Sequence, residues 1–344
     1  MTNSVISNRY EFMILVEAKD CNPNGDPDMG NLPRQDEETG LGYITDVAVK
    51  RRIRNYIDDA YGNQENCQIL MQKGASINKK IAESVFKVNS IEKVPSSFEN
   101  KKVLETAKDM AETYWDVRTF GAVLSTGLNA GQVRGAVQIG ISESVDPIHV
   151  EDITLSRMCY ADKDVKNLGT LSEYEKEENE RPDDKKRTLG NKKFISYGLY
   201  VVKGSVSACL AEKNGFTEKD LQMLFEALIQ MYNHDISSSK EGMSVVSPLI
   251  VFKHVGTQAD NNPEQQAKEA RLGCVAAHKL YRLLDVSKKD DIEFPRHYED
   301  YEVVLNTEDI PSGVEIGIKE DAFAPVIWGI NSIRQCKHEG LSIK

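Results

Sequence analysis

The chain lacks paired cysteines, long apolar runs and any familiar nucleophile or phosphate-binding motif. Its six cysteines (Cys21, Cys67, Cys159, Cys209, Cys274, Cys336) stand singly, with no CxxC pair. That argues against a disulfide framework or a zinc site and predicts a reducing, cytoplasmic setting. No run approaches the ~20 apolar residues of a spanning helix. Met1–Arg9 is too polar for a signal peptide. The six histidines (His149, His234, His254, His278, His297, His338) show neither HxxxH nor HExxH spacing. GxxxxGKS/T and GxSxG are both missing. Asp26 and Asp28 sit in a proline-rich loop, where acidic side chains commonly just form turns. The expectation is no catalytic residue, no metal ligand and no cofactor. A basic excess is missing too, since the formal net charge is -11. Nucleic-acid binders are usually basic. Screening within roughly 10 Å makes the local grouping of cations the deciding quantity, not the total.

What is present is a mixed pattern with 40% apolar residues, ample for a core in a chain of 344. Tyr10–Glu17 (YEFMILVE) is apolar on both faces, which predicts a central strand. Asn22–Gly30 (NPNGDPDMG) is a loop by its Asn-Pro and Asn-Gly pairs. Thr45 is an N-cap for a helix to about Ala60, with Val49, Ile53 and Ile57 on its buried stripe. Residues 62–100 carry no clean period. Lys101–Trp115 predicts a helix. Residues 131–141 alternate as one strand, with Val133, Val137, Ile139 and Ile141 on one face and Gln132, Arg134 and Gln138 on the other. Residues 161–193 are too charged to order themselves by burial and predict a mobile arm. Tyr197–Leu210 is a strand. Thr217 and Asp220 form a capping box for a helix burying Leu221, Leu224, Phe225, Leu228 and Tyr232. Pro248–Lys253 is a strand, Glu264–Leu284 a helix, and the remainder of 260–344 an acidic tail. The core order is therefore strand, helix, strand, strand, helix, strand: an α+β, ferredoxin-like arrangement. RNA-recognition modules with an open sheet face share it, as do many enzymes and regulatory domains.

Three groups of residues invite a functional reading. Lys50, Arg51, Arg52 and Arg54, beside Arg34, place four cations in five positions. They form either a solvated helix face or, if unpaired, a seat for a polyanion. Gln132, Arg134 and Gln138 lie among Gly127, Gly131 and Gly135. This is either a bulged edge strand or a surface that lets an RNA backbone approach closely, with Arg134 bonding phosphate. The charged arm is either a plain surface loop or one whose basic flanks touch RNA. Arg157 and Met158 form one flank, and Arg187, Leu189, Lys192 and Lys193 the other.

Several ordered segments together resemble one family: NPNGDPDMGNLPR (22–34), TDVAVKRRIRNYI (45–57), DVRTFGAVLSTGLNAGQVRGAVQ (116–138), RTLGNKK (187–193) and YGLYVVKG (197–204). The chain is similar to the Cas-seven (Csd-type) backbone subunit of the type I-C CRISPR Cascade. The resemblance implies an RRM-like palm, a helical finger-like insertion at 62–115 and a thumb at 150–195. It implies non-catalytic binding of crRNA by copies stacked head-to-tail into a filament. The guide would be displayed for pairing with target DNA in antiviral defence. Further implied partners are the other Cascade subunits, of Cas-five and Cas-eight type, and through the complex a helicase-nuclease. The RNA-binding residues it implies are Asn22, Asn24, Arg34, Lys50, Arg51, Arg54, Arg118, Gln132, Arg134, Gln138 and the arm residues Arg157, Met158, Arg187, Leu189, Lys192 and Lys193. Stacking aromatics are missing from 132–138, so recognition rests on the backbone and specificity on base pairing. An alternative is a ribonuclease that processes precursor guide RNA, which needs a positioned acid and base.

Overall fold

The computed structural model describes residues 4–91, 93, 99–161, 168–257, 262–338 and 340–344. Parts of the expected insertion (92, 94–98), arm (162–167) and tail (260–261, 339) lie outside the described residues. Tyr10–Cys21 forms the central strand of a ten-stranded antiparallel sheet. Leu249–His254 pairs with it on one side and the 19-residue strand Thr188–Val206 on the other. Val137–Ile139, Ser142–Pro147 and Val150–Arg157 pair in turn along the far edge of that long strand.

Both faces of the central strand are buried, as its unbroken apolar run requires. Phe12, Ile14 and Val16 point into a core with two helices. Asp46–Tyr61 contributes Val49, Ile53 and Ile57, and Glu218–His234 contributes Leu221, Leu224, Phe225 and Leu228. Both helices start where the caps predict. The Thr45 hydroxyl accepts from the Ala48 N–H at 3.3 Å, and Asp220 accepts from the Thr217 N–H at 2.8 Å.

The opposite face departs from expectation. Met13, Leu15, Tyr197, Leu199, Ile250 and Phe252 are covered by Leu280, Leu283, Tyr298, Val303, Ile333 and Leu341. No open sheet face is left there for RNA to lie across. The predicted Glu264–Leu284 helix splits at Gly273 (φ +96) into Pro263–Leu272 and Ala277–Tyr281. The predicted acidic tail is structured. Leu284–Lys288, Tyr301–Leu305 and Ser342–Ile343 form a second sheet. Val314–Lys319 joins the main sheet beside Leu249–His254. Tyr301–Leu305 keeps Glu302 exposed while its other four residues are buried. Its acidic composition therefore decorates one face only.

The segment between the first helix and the 121–134 hairpin holds helices Ile77–Asn89, Asn100–Thr113 and Trp115–Phe120. Ile81, Val85, Met110, Ala111 and Tyr114 give it a small core of its own. The arm is more regular than its charge suggests. Val150–Arg157 pairs with Thr188–Ile195 as a two-stranded ribbon, with helix Leu171–Glu180 near its tip. Backbone pairing orders the ribbon, since Ile195 alone of its paired residues is buried.

Burial raises the phenol pKa of Tyr10, Tyr197, Tyr200, Tyr232, Tyr281, Tyr298 and Tyr301 above the ordinary value near 10. The folded state then holds protons that the unfolded chain releases. The stabilisation is complete below pH ~10 and is lost as pH rises above it. Alkaline titration followed by tyrosinate absorbance and circular dichroism is expected to show the two signals rising together above pH ~10. Gradual ionisation with the fold intact would contradict this.

Candidate nucleic-acid interface

The loop from Asn22 to Arg34 is locked from within. The Asn24 side-chain oxygen accepts from both the N–H and the hydroxyl of Thr45, at 2.9 Å each. That seats the loop on the start of the Asp46–Tyr61 helix. Arg34 pairs with Asp26 at 2.9 Å. The Asn22 amide donates to the Asn31 carbonyl at 2.8 Å, while its own side-chain oxygen is buried with no partner. Asn22 is thus a buried loop organiser, and its side chain does not face solvent as an RNA contact would. Gly30 turns the chain at φ +60 beside the Lys193 ammonium, which brings the base of the arm to this loop.

The cation cluster of the helix is paired, contrary to the unpaired reading. Lys50 bonds Asp46 at 2.8 Å, Arg54 bonds Asp116 at 2.9 Å, and Arg52 pairs with Asp235. Arg51 donates to the Met71 carbonyl at 3.1 Å. Repulsion within the cluster is relieved by these carboxylates, so the spacing alone does not demand a polyanion. All four cations are only partly exposed, the Lys50, Arg52 and Arg54 side chains at 14%, 16% and 13%. Lys50 and Arg54 also lie over the Phe120 ring, 5.8 and 5.0 Å from its centre. Phe120 leads directly into the hairpin Gly121–Val123 with Gln132–Arg134.

That hairpin replaces the single strand expected over 131–141. The chain breaks at Gly135, and Val137–Ile139 pairs instead with the long strand of the main sheet. The cause is a backbone crossing. A Cβ at Gly135 would stand 2.2 Å from the Phe120 carbonyl carbon, and one at Gly121 would stand 2.6 Å from the Gly135 nitrogen. These glycines admit neighbouring backbone, which removes the argument that Gly135 leaves room for phosphate. Ile141 is exposed, so it leaves the buried face assigned to it. Gln132, Arg134 and Gln138 do reach solvent. Arg134 has no ion-pair partner among the described residues.

Arg118 was expected on this surface and is buried instead. Its guanidinium meets Asp220 at 3.0 and 2.8 Å and donates to the Asn66 carbonyl at 2.7 Å. Asp116, also buried, accepts from the Leu70 and Met71 N–H groups at 2.7 and 3.1 Å as well as from Arg54. The DVR segment (116–118) is therefore a clamp joining the insertion to both core helices. A buried charge survives only with such partners.

On the arm, Arg157 faces Thr188 and Lys192 faces Ile153, putting both cations on one side of the ribbon. Leu189 and Lys193 lie on the other side, beside Ser156 and Asp152. Met158 and Leu189 are among the most exposed apolar side chains of the molecule, and Arg187 is exposed. The described surface thus joins loop, helix, hairpin and arm. One cation near it carries no sequence signal: Lys240, whose ammonium lies within hydrogen-bond distance of the Asn22 and Pro23 carbonyls. It sits in an unpatterned loop more than two hundred residues from its partners, so no spacing could have signalled it.

Among the described residues no helix is long and apolar enough to cross a membrane. No group of three or more His, Cys, Asp or Glu side chains there could hold a metal ion.

Comparison with known proteins gives three results. A CRISPR-associated protein Cas7 of Haloferax volcanii is 29% identical over 233 residues, spanning 63% of this chain and 62% of that protein. The match thus covers less than two thirds of that relative. Among solved structures, the chain is similar to one chain of a CRISPR RNA-guided surveillance complex, pre-nicking, at TM-score 0.41 and 13% identity, over 78% of this chain and 84% of that one. A chain of the type III-B Cmr-beta bound to cognate target RNA aligns at TM-score 0.37 and 10% identity, over 71% and 61%. The family model for CRISPR-associated protein Cas7 matches residues 8–306, most of the chain, which therefore belongs to the Cas7 family.

Proposed function

We propose that this chain is a non-catalytic crRNA-binding backbone subunit of a type I-C CRISPR surveillance complex. Copies would stack head-to-tail along one guide and display it for pairing with target DNA. The observation that carries this reading is Arg134, an exposed cation without an ion-pair partner among the described residues, on a chain of net charge -11. Its hairpin follows Phe120, over which Arg54 of the Asp46–Tyr61 helix lies, and the Asn22–Arg34 loop is seated on the start of that helix. The four strands and two helices of the centre run in the ferredoxin-like order, which supports an RRM-like palm. The helices between 77 and 120 suit a finger-like insertion, and the exposed ribbon suits a thumb. Because the second sheet face is covered, RNA would follow the loop, helix and hairpin at the rim of the palm. A head-to-tail contact is heterologous and can extend without closing. Subunits of Cas-five and Cas-eight type and a helicase-nuclease would be its other partners.

Arg134 is the cation we assign most directly to a phosphate. Arg134→Ala is expected to weaken binding of single-stranded RNA by about tenfold, alike for unrelated sequences. The salt dependence should also fall by about 0.7 in slope. Fluorescence anisotropy over a range of KCl concentrations reads both quantities. A variant that changes preference between sequences at constant overall affinity would overturn the backbone-contact reading. The alternative ribonuclease gains little from the best-organised histidine, His254, which is wholly buried against Glu11.

A further inference from the structure

We propose that Lys240 is a positioning residue that fastens the Asn22–Arg34 loop in the shape that meets RNA. The proposal rests on the RNA-binding reading above and names the group that regulates that site.

Lys240 belongs to the turn between the Glu218–His234 helix and the Met243–Val245 strand. Its ammonium donates to the carbonyls of Asn22 and Pro23, at 2.5 Å each. The same turn is pressed against the loop from two further sides. The Asn22 N–H donates to the Ser239 carbonyl at 2.9 Å, and the Lys19 N–H to the Gly242 carbonyl at 2.8 Å. A Cβ at Gly242 would stand 1.6 Å from the Lys19 oxygen, so the approach admits no side chain. The two carbonyls held by Lys240 come directly before Asn24, which anchors Thr45, and Arg34 lies at the loop's other end, hydrogen-bonded through its N–H to the Asn24 carbonyl. Releasing Lys240 removes two of the bonds that hold the root from which both hang.

The charges around this ammonium are unusual for a lysine. Its hydrogen-bond acceptors here are carbonyls, not a carboxylate. Arg52 approaches from the first helix, itself paired with Asp235 at the end of the long helix, and the Cys21 thiol approaches from the central strand. Around Cys21 in turn lie Asp20 and Lys192. Burial and the neighbouring Arg52 push the Lys240 pKa down to about 8, against smaller opposing pulls from Cys21 and Asp235. Above that pH the two charge-assisted bonds become neutral ones, roughly half as strong. The grip on RNA is then expected to loosen as pH rises through about 8. Folding moves the other way. The native state holds fewer protons than the unfolded chain between about 8 and the ordinary lysine value of 10.5, so this group adds stability as pH rises there. Loss of RNA affinity in that window is therefore separable from loss of fold.

The test is anisotropy of a labelled mixed-sequence single-stranded RNA with the full chain, between pH 7 and pH ~9.5. Wild type, Lys240→Arg and Lys240→Gln are compared, with amide exchange of the loop in each. Wild type is expected to lose about five- to tenfold in affinity, with a midpoint near 8. Lys240→Arg keeps the charge throughout and should give a flat profile. Lys240→Gln should bind weakly at every pH, with faster exchange over residues 22–34. Should Lys240→Gln fail to fold, the contrast between wild type and Lys240→Arg still decides. A flat wild-type profile, or the same decline in wild type and Lys240→Arg, overturns the latch and leaves the RNA reading standing. Wild type that binds no RNA at pH 7 overturns that reading itself.

Discussion

Replacing Arg118 with alanine is expected to cost about 3–5 kcal/mol of folding stability and to leave no folded surface on which to measure a specific RNA defect. The guanidinium is buried and holds Asp220 through two bonds, with further donation to the Asn66 and Glu112 carbonyls. Removing it strands a buried carboxylate and leaves carbonyls of two separate segments, at Asn66 and at Ala111–Glu112, without this donor. Asp220 is at once the capping residue of the Glu218–His234 helix, so the damage reaches the main core. Urea unfolding reads the loss. Arg118→Met combined with Asp220→Leu should be milder than Arg118→Met alone, because no lone charge remains. It still forfeits the Asp220 half of the capping box, while the Thr217 hydroxyl keeps its bond from the N–H of residue 220. An Arg118→Ala protein with wild-type unfolding and weakened RNA binding would return the residue to the interface.

Ending the chain after Ala276 is expected to abolish cooperative folding. The deleted part covers Met13, Leu15, Tyr197, Leu199, Ile250 and Phe252. At roughly 1.5–3 kcal/mol for each large side chain returned to water, the loss reaches about 10 kcal/mol or more. Whole-domain stabilities are only about 5–15 kcal/mol. The truncation also removes Val314–Lys319 and bares the edge of Leu249–His254, a template for aggregation. We expect insoluble protein, or soluble protein that binds a hydrophobic dye and melts without a transition. A monomeric product with a sharp unfolding transition would show that residues 277–344 are an appendage.

The two outcomes expose the same division. Elements whose signal is local were legible. The double-sided apolar run of Tyr10–Glu17, the Thr45 cap and the Thr217–Asp220 box each state their own structure, because the physics acts within one strand or one turn. Elements whose order comes from distant partners are not legible in the sequence. Residues 131–141 alternate as one strand, yet a backbone crossing at Gly135 divides them between two sheets. Tyr301–Leu305 and its neighbours read as an acidic tail because a five-residue strand buried on both faces carries no alternation to mark it.

The candidate interface divides in the same way. By itself the sequence determined that cations gather at 50–54, that Arg134 follows a glycine-rich turn, and that a charged arm leaves the core. Only the tertiary structure decided which cations are free. It supplied Asp46, Asp116, Asp235 and Asp220 as partners and buried Arg118. It also brought Lys240 to Asn22 across most of the chain. The reason is that charge is a property of residue type, written in the sequence. Pairing and desolvation depend on what lies within a few ångströms, and folding alone sets that.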